Sequence, residues 1–197
     1  MRKVFILSVA LILSVNVPYA CANDYVSGVA NAEAVAAVVA GTLDEANVSW
    51  WGFDMEDSTE AIQAAIDSGA PKVTIPYMGK PWIVRPLEMR SDLELFLEPG
   101  VVLLAKKGEF LGRGDSLLAA TNASNIKITA YGATILMNHR DYLLPPYEKA
   151  EWRMGLRLDG STNILVEGLR IEGSGGDGIY IGATSTHSGE RFVTRGV

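Results

Sequence analysis

Cysteine and histidine are almost missing from this sequence. Its 197 residues include one cysteine, Cys21, and two histidines, His139 and His187. A single cysteine cannot form an internal disulfide, so the fold cannot depend on a disulfide framework and its apolar core must suffice. Neither histidine has metal-ligating company in the sequence, so we predict no metal site.

Basic residues are fewer than acidic ones. The chain has 17 Lys and Arg residues against 23 Asp and Glu residues, a formal net charge of -6. This balance argues against nucleic acid as a partner. The electrostatic field of a negatively charged protein also repels polyanions, so an acidic glycan would need a locally basic groove or a bound cation.

Long apolar runs are missing after residue 17. The one such run, Val4 to Val17, follows two basic residues and leads to the small residues Ala20-Cys21-Ala22. We therefore predict a signal peptide over residues 1–22, cleaved after Ala22, and a secreted or periplasmic protein. The run is too short to span a membrane, and no later segment is long enough. A lipoprotein with Cys21 as the lipidated residue is the competing interpretation.

Helical patterns are also scarce. Residues 23–50 form a predicted leader segment that is rich in Ala and Val, in which residues 32–40 are either a short helix or part of a flexible leader. A clearer helix is predicted over residues 57–68, because Asp57-Ser58-Thr59-Glu60 has the pattern of a capping box. Ile62 and Ile66 give that helix one apolar face, which must lie against the rest of the fold.

The remainder of the chain repeats one short motif. A small polar pair precedes an alternating aliphatic strand at Ser91-Asp92, Ser124-Asn125 and Thr162-Asn163, and a fourth copy is predicted to begin at Glu190. Repeats at spacings of about 20 to 40 residues are typical of stacked solenoids. We therefore predict one partial solenoid domain over residues 51–197, with its last coil incomplete.

The register of the repeats favours a parallel β-helix over a β-sandwich, which the strand count alone leaves open. The aliphatic positions superpose when the sequence is shifted by one coil, pairing Leu156 with Ile179, Leu118 with Leu156, and Leu93 with Ile126. The coils differ mainly in their loops. The largest is a polar, aromatic, proline-bearing insertion from Leu136 to Arg153, called the insert below.

Three segments resemble the pectate-lyase-like and polygalacturonase-like superfamily. They are residues 57–66 with Val73-Thr74-Ile75-Pro76, then residues 95–100, then Gly176-Asp177-Gly178-Ile179. The resemblance covers about residues 50 to 182. It implies an all-β, right-handed parallel β-helix with a short N-terminal capping helix, here truncated at the C-terminus. The superfamily contains glycoside hydrolases, polysaccharide lyases, epimerases and non-catalytic surface proteins, so the resemblance specifies fold better than activity.

Strand alternation places a group of polar side chains on one flank of such a solenoid. Arg157 and Asp159 point outward from one strand, Tyr180 lies beside Arg157 one coil later, and Asp177 lies in the turn before Tyr180. In a glycoside hydrolase, Asp177 and Asp159 would be the acid and the base or nucleophile. In a lyase, Asp177 would bind Ca²⁺ and Arg157 would abstract a proton; otherwise we predict no cofactor. Alternatively, Arg157 and Asp159 are a solvated ion pair and Asp177 is a turn residue.

The insert carries further candidates for polysaccharide binding. The aromatic rings of Tyr142, Tyr147 and Trp152 could stack on sugar rings, with His139 contributing at the base of the insert. The alternative is that the three rings pack the insert onto the coil below, and that His139 is structural.

Several motifs of polygalacturonase-like enzymes are missing from this sequence. Their paired aspartates, Gly-His-Gly and Arg-x-Lys motifs follow the Asp-Gly-Ile strand, and residues 183 to 197 contain none of them. We therefore predict a protein that acts on extracellular polysaccharide as a hydrolase or lyase. A non-catalytic glycan-binding or surface-adhesion module and an inactive fragment are the alternatives. An uncapped last coil would favour self-association.

Overall fold

The computed structural model describes residues 29–185, 191–193 and 195–197. The predicted signal peptide, residues 1–22, and His187 lie outside these residues. Within the described part, no helix is long and apolar enough to cross a membrane.

Three sheets run along the molecule, and each complete coil adds one parallel strand to each sheet. The first sheet contains β1 (Glu45–Asn47), β2 (Lys72–Ile75), β5 (Leu93–Leu97), β8 (Ser124–Thr129) and β11 (Thr162–Glu167). The second contains β4 (Leu87–Glu88), β7 (Leu118–Thr121), β10 (Leu156–Asp159), β13 (Ile179–Ser185) and β14 (Arg191–Val193). The third contains β3 (Trp82–Val84), β6 (Val102–Ala105), β9 (Thr134–Leu136) and β12 (Arg170–Glu172).

The pairing between coils is parallel throughout this stack. The structure pairs Leu156 with both Leu118 and Ile179, and Leu93 with Ile126, as the sequence predicted. Inward-facing leucines and isoleucines on neighbouring coils therefore stack into one continuous core. The predicted right-handed parallel β-helix is confirmed; right-handed crossovers are the rule for parallel strands.

A ladder of polar side chains explains the repeated motif. Asp92, Asn125 and Asn163 have positive φ angles of 56°, 58° and 55°, a conformation that Asn and Asp tolerate best among residues with side chains. Asn125 Nδ2 donates to Asp92 Oδ1 over 2.7 Å, and Asn163 Nδ2 donates to Asn125 Oδ1 over 2.8 Å. The small polar pair before each strand is thus a turn residue and a link between coils.

The fourth copy of the motif begins later than predicted. Strand β14 pairs antiparallel with the end of β13, so it forms a hairpin and does not start a new coil. The next parallel contact is the bridge between Thr162 and Arg195. Gly196, with φ of 64°, follows at the position that Asn163 occupies one coil earlier. Parallel stacking therefore resumes at Arg195, and Glu190 lies outside the described residues.

The last complete coil carries exposed side chains at inward positions. Ile179 and Ile181 are 45 % and 52 % exposed, whereas their partners Leu156 and Leu158 are both fully buried. Self-association through this coil stays a prediction.

The N-terminal end is covered by helices. Helix α1 (Ala32–Val39) lies within the residues predicted as helical, and α2 (Thr59–Asp67) lies within the predicted range 57–68. Ile62 and Ile66 of α2 are fully buried, as expected for a helix that caps the open end of the core. Strand β1 pairs with β2, so the first sheet extends into the segment predicted as a leader. Short 3-10 helices occur at Val48–Trp51 and Asp141–Leu143.

Asp57 ties the capping helix to two coils. Its carboxylate accepts hydrogen bonds from the Thr59 backbone N–H (3.0 Å), from Arg85 Nε (2.9 Å) and from Lys106 Nζ (2.9 Å). Partial burial alone would raise the pKa of Asp57, but the hydrogen bonds from Thr59, Lys106 and Arg85 outweigh it and hold the pKa well below its usual range. The predicted capping box does not form, because the N-cap is Ser58, whose side chain makes no capping hydrogen bond, and Glu60 accepts from Arg85 over 2.6 Å.

Candidate functional site

The insert is fixed to the β-helix by one buried arginine. Arg153 is fully buried, and its guanidinium donates to the backbone carbonyls of Phe110 (2.7 Å), Leu111 (3.2 Å) and Glu148 (3.0 Å). The first two carbonyls belong to the loop after β6, and the third belongs to the insert. Arg153 therefore holds two loops together beside the second sheet.

Two tyrosines of the insert pack around this guanidinium. The Arg153 Cζ lies 5.3 Å from the ring centre of Tyr142 and 5.5 Å from that of Tyr147. Tyr142 is 2 % exposed, and its burial raises the pKa of its hydroxyl to about 12. An enclosed ring offers no face to a sugar, so the burial of Tyr142 favours the packing role over substrate binding. Tyr147 is half-buried and its hydroxyl accepts from the Gly108 N–H over 2.9 Å, which also favours packing.

Glycines let the insert lie directly on the turn that carries Asp177. A side chain at Gly175 would collide with the Tyr142 ring, and one at Gly176 would collide with the Glu151 backbone carbonyl. This close approach places Asp177, which is exposed, beside the last residues of the insert. The Gly-Gly-Asp-Gly sequence thus serves the packing of the insert as well as the turn.

Trp152 remains at the surface, in contrast to the two tyrosines. Trp152 is 52 % exposed, and the Arg113 guanidinium lies 4.7 Å from the centre of its ring. Such a cation–π contact restrains the orientation of an exposed ring. Because Trp152 directly precedes the buried Arg153, its backbone is also held in place.

Arg157 and Asp159 form a tight ion pair. Arg157 Nε lies 2.5 Å from Asp159 Oδ2, and Asp159 is only 7 % exposed. A side chain at Gly182 on the next coil would collide with the Asp159 carboxylate. The guanidinium also donates to the Gly114 carbonyl over 3.3 Å and lies 5.8 Å from the Tyr180 ring centre. The ion pair therefore contacts the Gly114 loop and the Tyr180 ring and fills the space left by Gly182. A guanidinium that is ion-paired is a poor proton acceptor, so Arg157 is poorly suited to abstract a proton.

Asp159 and Asp177 share a flank, as predicted, but they are far apart along the strands. The Leu156 N–H donates to the Gly178 carbonyl over 3.0 Å, which places Asp177 beside Met154. Asp159 lies beside Gly182, which is five residues after Asp177. If the residues just before β10 and β13 continue at the strand rise of about 3.3 Å per residue, this offset is roughly 16 Å between the two backbones. The two carboxyls of a glycoside hydrolase are about 5 to 9.5 Å apart, so this pair does not fit that geometry.

Three adjoining cavities form a groove over the second sheet and beside the insert. Their volumes are about 480 Å³, 270 Å³ and 470 Å³. The first two share Trp152 and Tyr180, and the second and third share Gly114 and Arg157. We call these three cavities together the groove.

One end of the groove brings three residues of the insert together with the predicted neighbours Asp177 and Tyr180. Glu151, Trp152, Asp177, Tyr180 and His139 all line its cavity of about 480 Å³. The His139 Nδ1 lies 3.0 Å from the Ser174 carbonyl oxygen. Glu151 was missed because it belongs to no motif, and only its position beside the candidate Trp152 could have indicated it. Asp177 thus has a second carboxylate, Glu151, on the same cavity.

A calcium site does not fit these residues. Among the residues that the structure describes, no group of three or more His, Cys, Asp or Glu side chains could hold a metal ion. Ca²⁺ prefers six to eight oxygen ligands, and Glu151 and Asp177 supply only two carboxylates to their cavity. Within the described part of the chain, Asp177 therefore lacks the carboxylate partners that a calcium ligand needs.

Searches for similar proteins identify the fold. No protein-family model matches this sequence, and the curated proteins give no match. A candidate glycosyl hydrolase from Parabacteroides merdae ATCC 43184 is similar in structure, with 18% identity and a TM-score of 0.56, over 69% of this chain and 68% of that one. At this identity the likeness shows a shared fold, the parallel β-helix.

The family 28 exopolygalacturonase of Yersinia enterocolitica was also found, with 16% identity and a TM-score of 0.43. The match covers 77% of this chain and 48% of that one, so this chain spans about half the length of that enzyme. The likeness to the Parabacteroides structure thus agrees with the predicted parallel β-helix fold.

Proposed function

We propose that the protein acts on an extracellular polysaccharide that binds in the groove, as a glycoside hydrolase. The observation that carries this proposal is the cavity where two exposed aromatic rings, Trp152 and Tyr180, meet two exposed carboxylates, Glu151 and Asp177. Aromatic faces bind the apolar faces of sugar rings, and paired carboxyls are the catalytic groups of glycoside hydrolases. The proposal agrees with the glycosyl-hydrolase description of the similar Parabacteroides protein.

The roles of the site residues follow from their surroundings. Asp177 and Glu151 are the proposed acid and base or nucleophile, because both are exposed on the same cavity. Asp159 and Arg157 are proposed to support Tyr180 and are not proposed as catalytic groups, because they neutralise each other. An eliminative reaction is not favoured, because the Arg157 guanidinium that would act as the base is engaged by Asp159.

Export is part of the same proposal. The apolar run from Val4 to Val17 and the small residues before Asn23 support a signal peptide, and hence a secreted or periplasmic protein that meets polysaccharide outside the cytoplasm.

A non-catalytic glycan-binding module is the second candidate. It is favoured by the roughly 16 Å offset between Asp159 and Asp177, since the carboxylate pair expected from the sequence is not assembled. The rings of Trp152 and Tyr180 would serve binding equally well without a reaction.

Removal of the Trp152 ring is expected to weaken polysaccharide binding by about two- to tenfold, since a lost stacking contact is worth roughly 0.5 to 1.5 kcal/mol. The measurement is affinity electrophoresis of Trp152→Ala against a panel of plant and bacterial polysaccharides. Tyr131→Ala is the matched control, because Tyr131 is 61 % exposed and is not among the residues that line the groove. Equal weakening in both variants would contradict the assignment of the groove.

The two carboxylates are expected to be needed for turnover and not for binding. Asp177→Asn and Glu151→Gln should each lower the release of new reducing ends by about 10² to 10⁴-fold, the usual contribution of a general acid or base. Binding by affinity electrophoresis should stay within about threefold of the parent. Parent-like turnover in both variants would remove these roles. Binding without turnover in the parent would support the second candidate, and an unsaturated product would indicate elimination.

A further inference from the structure

The groove is strongly acidic. Among the described residues that line it, one carries a positive charge, Arg157, whereas five carry carboxylates: Glu88, Asp115, Glu151, Asp159 and Asp177. These carboxylates lie at both ends of the groove, so a long bound chain would pass several of them. The net charge of the whole chain, -6, has the same sign and reinforces the local field.

The cations near the groove are already engaged. Arg157 is paired with Asp159 at 2.5 Å, and Arg113, which stacks on Trp152, lies 3.7 Å from a Glu148 carboxylate oxygen. Arg153 is fully buried beneath the insert and donates to three backbone carbonyls. The charge of Arg157 is therefore offset by Asp159, that of Arg113 is partly offset by Glu148, and Arg153 is out of reach of a bound chain.

We propose that the groove takes uncharged polysaccharide chains and rejects polyuronates. A polyuronate carries a carboxylate on every sugar, and these would face the carboxylates of the groove in a region with little spare positive charge. A neutral chain meets no such repulsion, and its hydroxyls can donate hydrogen bonds to the groove carboxylates while its rings stack on Trp152 and Tyr180. This inference rests on the proposed function and adds the substrate class.

The test compares polymers that share a backbone and differ in charge. The pairs are hydroxyethylcellulose with carboxymethylcellulose, and highly methyl-esterified pectin with polygalacturonate. Affinity electrophoresis of the full chain at low salt should show at least about tenfold tighter binding of the neutral member, or about 1.4 kcal/mol, in any pair that binds. The difference should narrow between about 0.01 M and 0.1 M salt, as the Debye length falls from about 30 Å to 10 Å.

A variant of the groove rim makes the test specific. Glu88 is exposed at the end opposite Glu151 and has no proposed catalytic role. Glu88→Gln should bring the affinity for the anionic polymer closer to that for the neutral polymer. Glu33→Gln is the control, because it makes the same charge change on the exposed side of α1 and should leave the difference in affinity unchanged. If the anionic member binds as tightly as the neutral one at low salt, the inference is overturned. If no polymer of either kind binds, the proposed function itself fails and the inference fails with it.

Discussion

Arg153→Met is expected to lower the free energy of unfolding by about 3 kcal/mol and to loosen the insert. Methionine fills a similar volume but donates no hydrogen bond, so the carbonyls of Phe110, Leu111 and Glu148 lose their shared donor. Each buried polar group left without a partner costs roughly 1 to 3 kcal/mol. Urea denaturation measures the global loss, and hydrogen exchange of residues 106–116 and 137–153 measures the local one.

The control for this substitution lies on the same insert. Arg140 is exposed, and Arg140→Met should change stability by less than about 0.5 kcal/mol. Arg153→Lys should fall between the parent and Arg153→Met, because an ammonium keeps the charge but cannot reach three carbonyls as the planar guanidinium does. An Arg153→Met protein with parental stability and parental exchange protection would show that the arginine does not hold the insert.

Asp57→Asn is expected to cost about 2 kcal/mol of stability at pH 7. Asparagine can still accept from the Thr59 N–H, but it loses the negative charge that Arg85 and Lys106 share at 2.9 Å each. Breaking a partly buried charged network costs more than breaking an exposed pair. Glu60→Gln is the matched control, because the Glu60 side chain is 86 % exposed and its pair with Arg85 should contribute little.

The effect of Asp57→Asn should depend on pH in one direction. The pKa of Asp57 is lowered in the folded protein, so its carboxylate stabilises the fold fully above the unfolded pKa of about 4. The stabilisation falls as pH drops below that value toward the folded pKa. Urea denaturation at pH 7, 4 and 3 should therefore show the gap between parent and variant shrinking at the acid end. A gap that is constant over this range would contradict the role of the carboxylate charge.

The fold was predictable because its causes are local and repeated. Inward positions such as Leu95 and Ile128 must be aliphatic in every coil, and a turn with positive φ favours Asn, Asp or Gly before each strand. These requirements recur, so the register of neighbouring strands could be inferred without any long-range information. The hairpin of β14 escaped prediction because its Arg-Phe-Val segment has the same alternation as a coil strand.

The site was harder to predict because its causes are non-local. Asp177 and Tyr180 were expected on one flank and do share a cavity, since the strand register fixes most of their positions. The burial of Tyr142 depends instead on Arg153 reaching carbonyls more than forty residues earlier, at Phe110 and Leu111. No short pattern in the insert encodes that contact, and for the same reason the sequence did not connect Glu151 to the site.

The side-chain ladder has a direction. Each amide donates to the coil before it, so the first member needs only to accept, whereas later members must both donate and accept. A carboxylate suits the first position, Asp92, and would interrupt the series at Asn125, where a donor is required. The three turns share one backbone conformation, yet their side chains are not interchangeable: Asn125→Asp would leave the first link with two carboxylate acceptors and no donor.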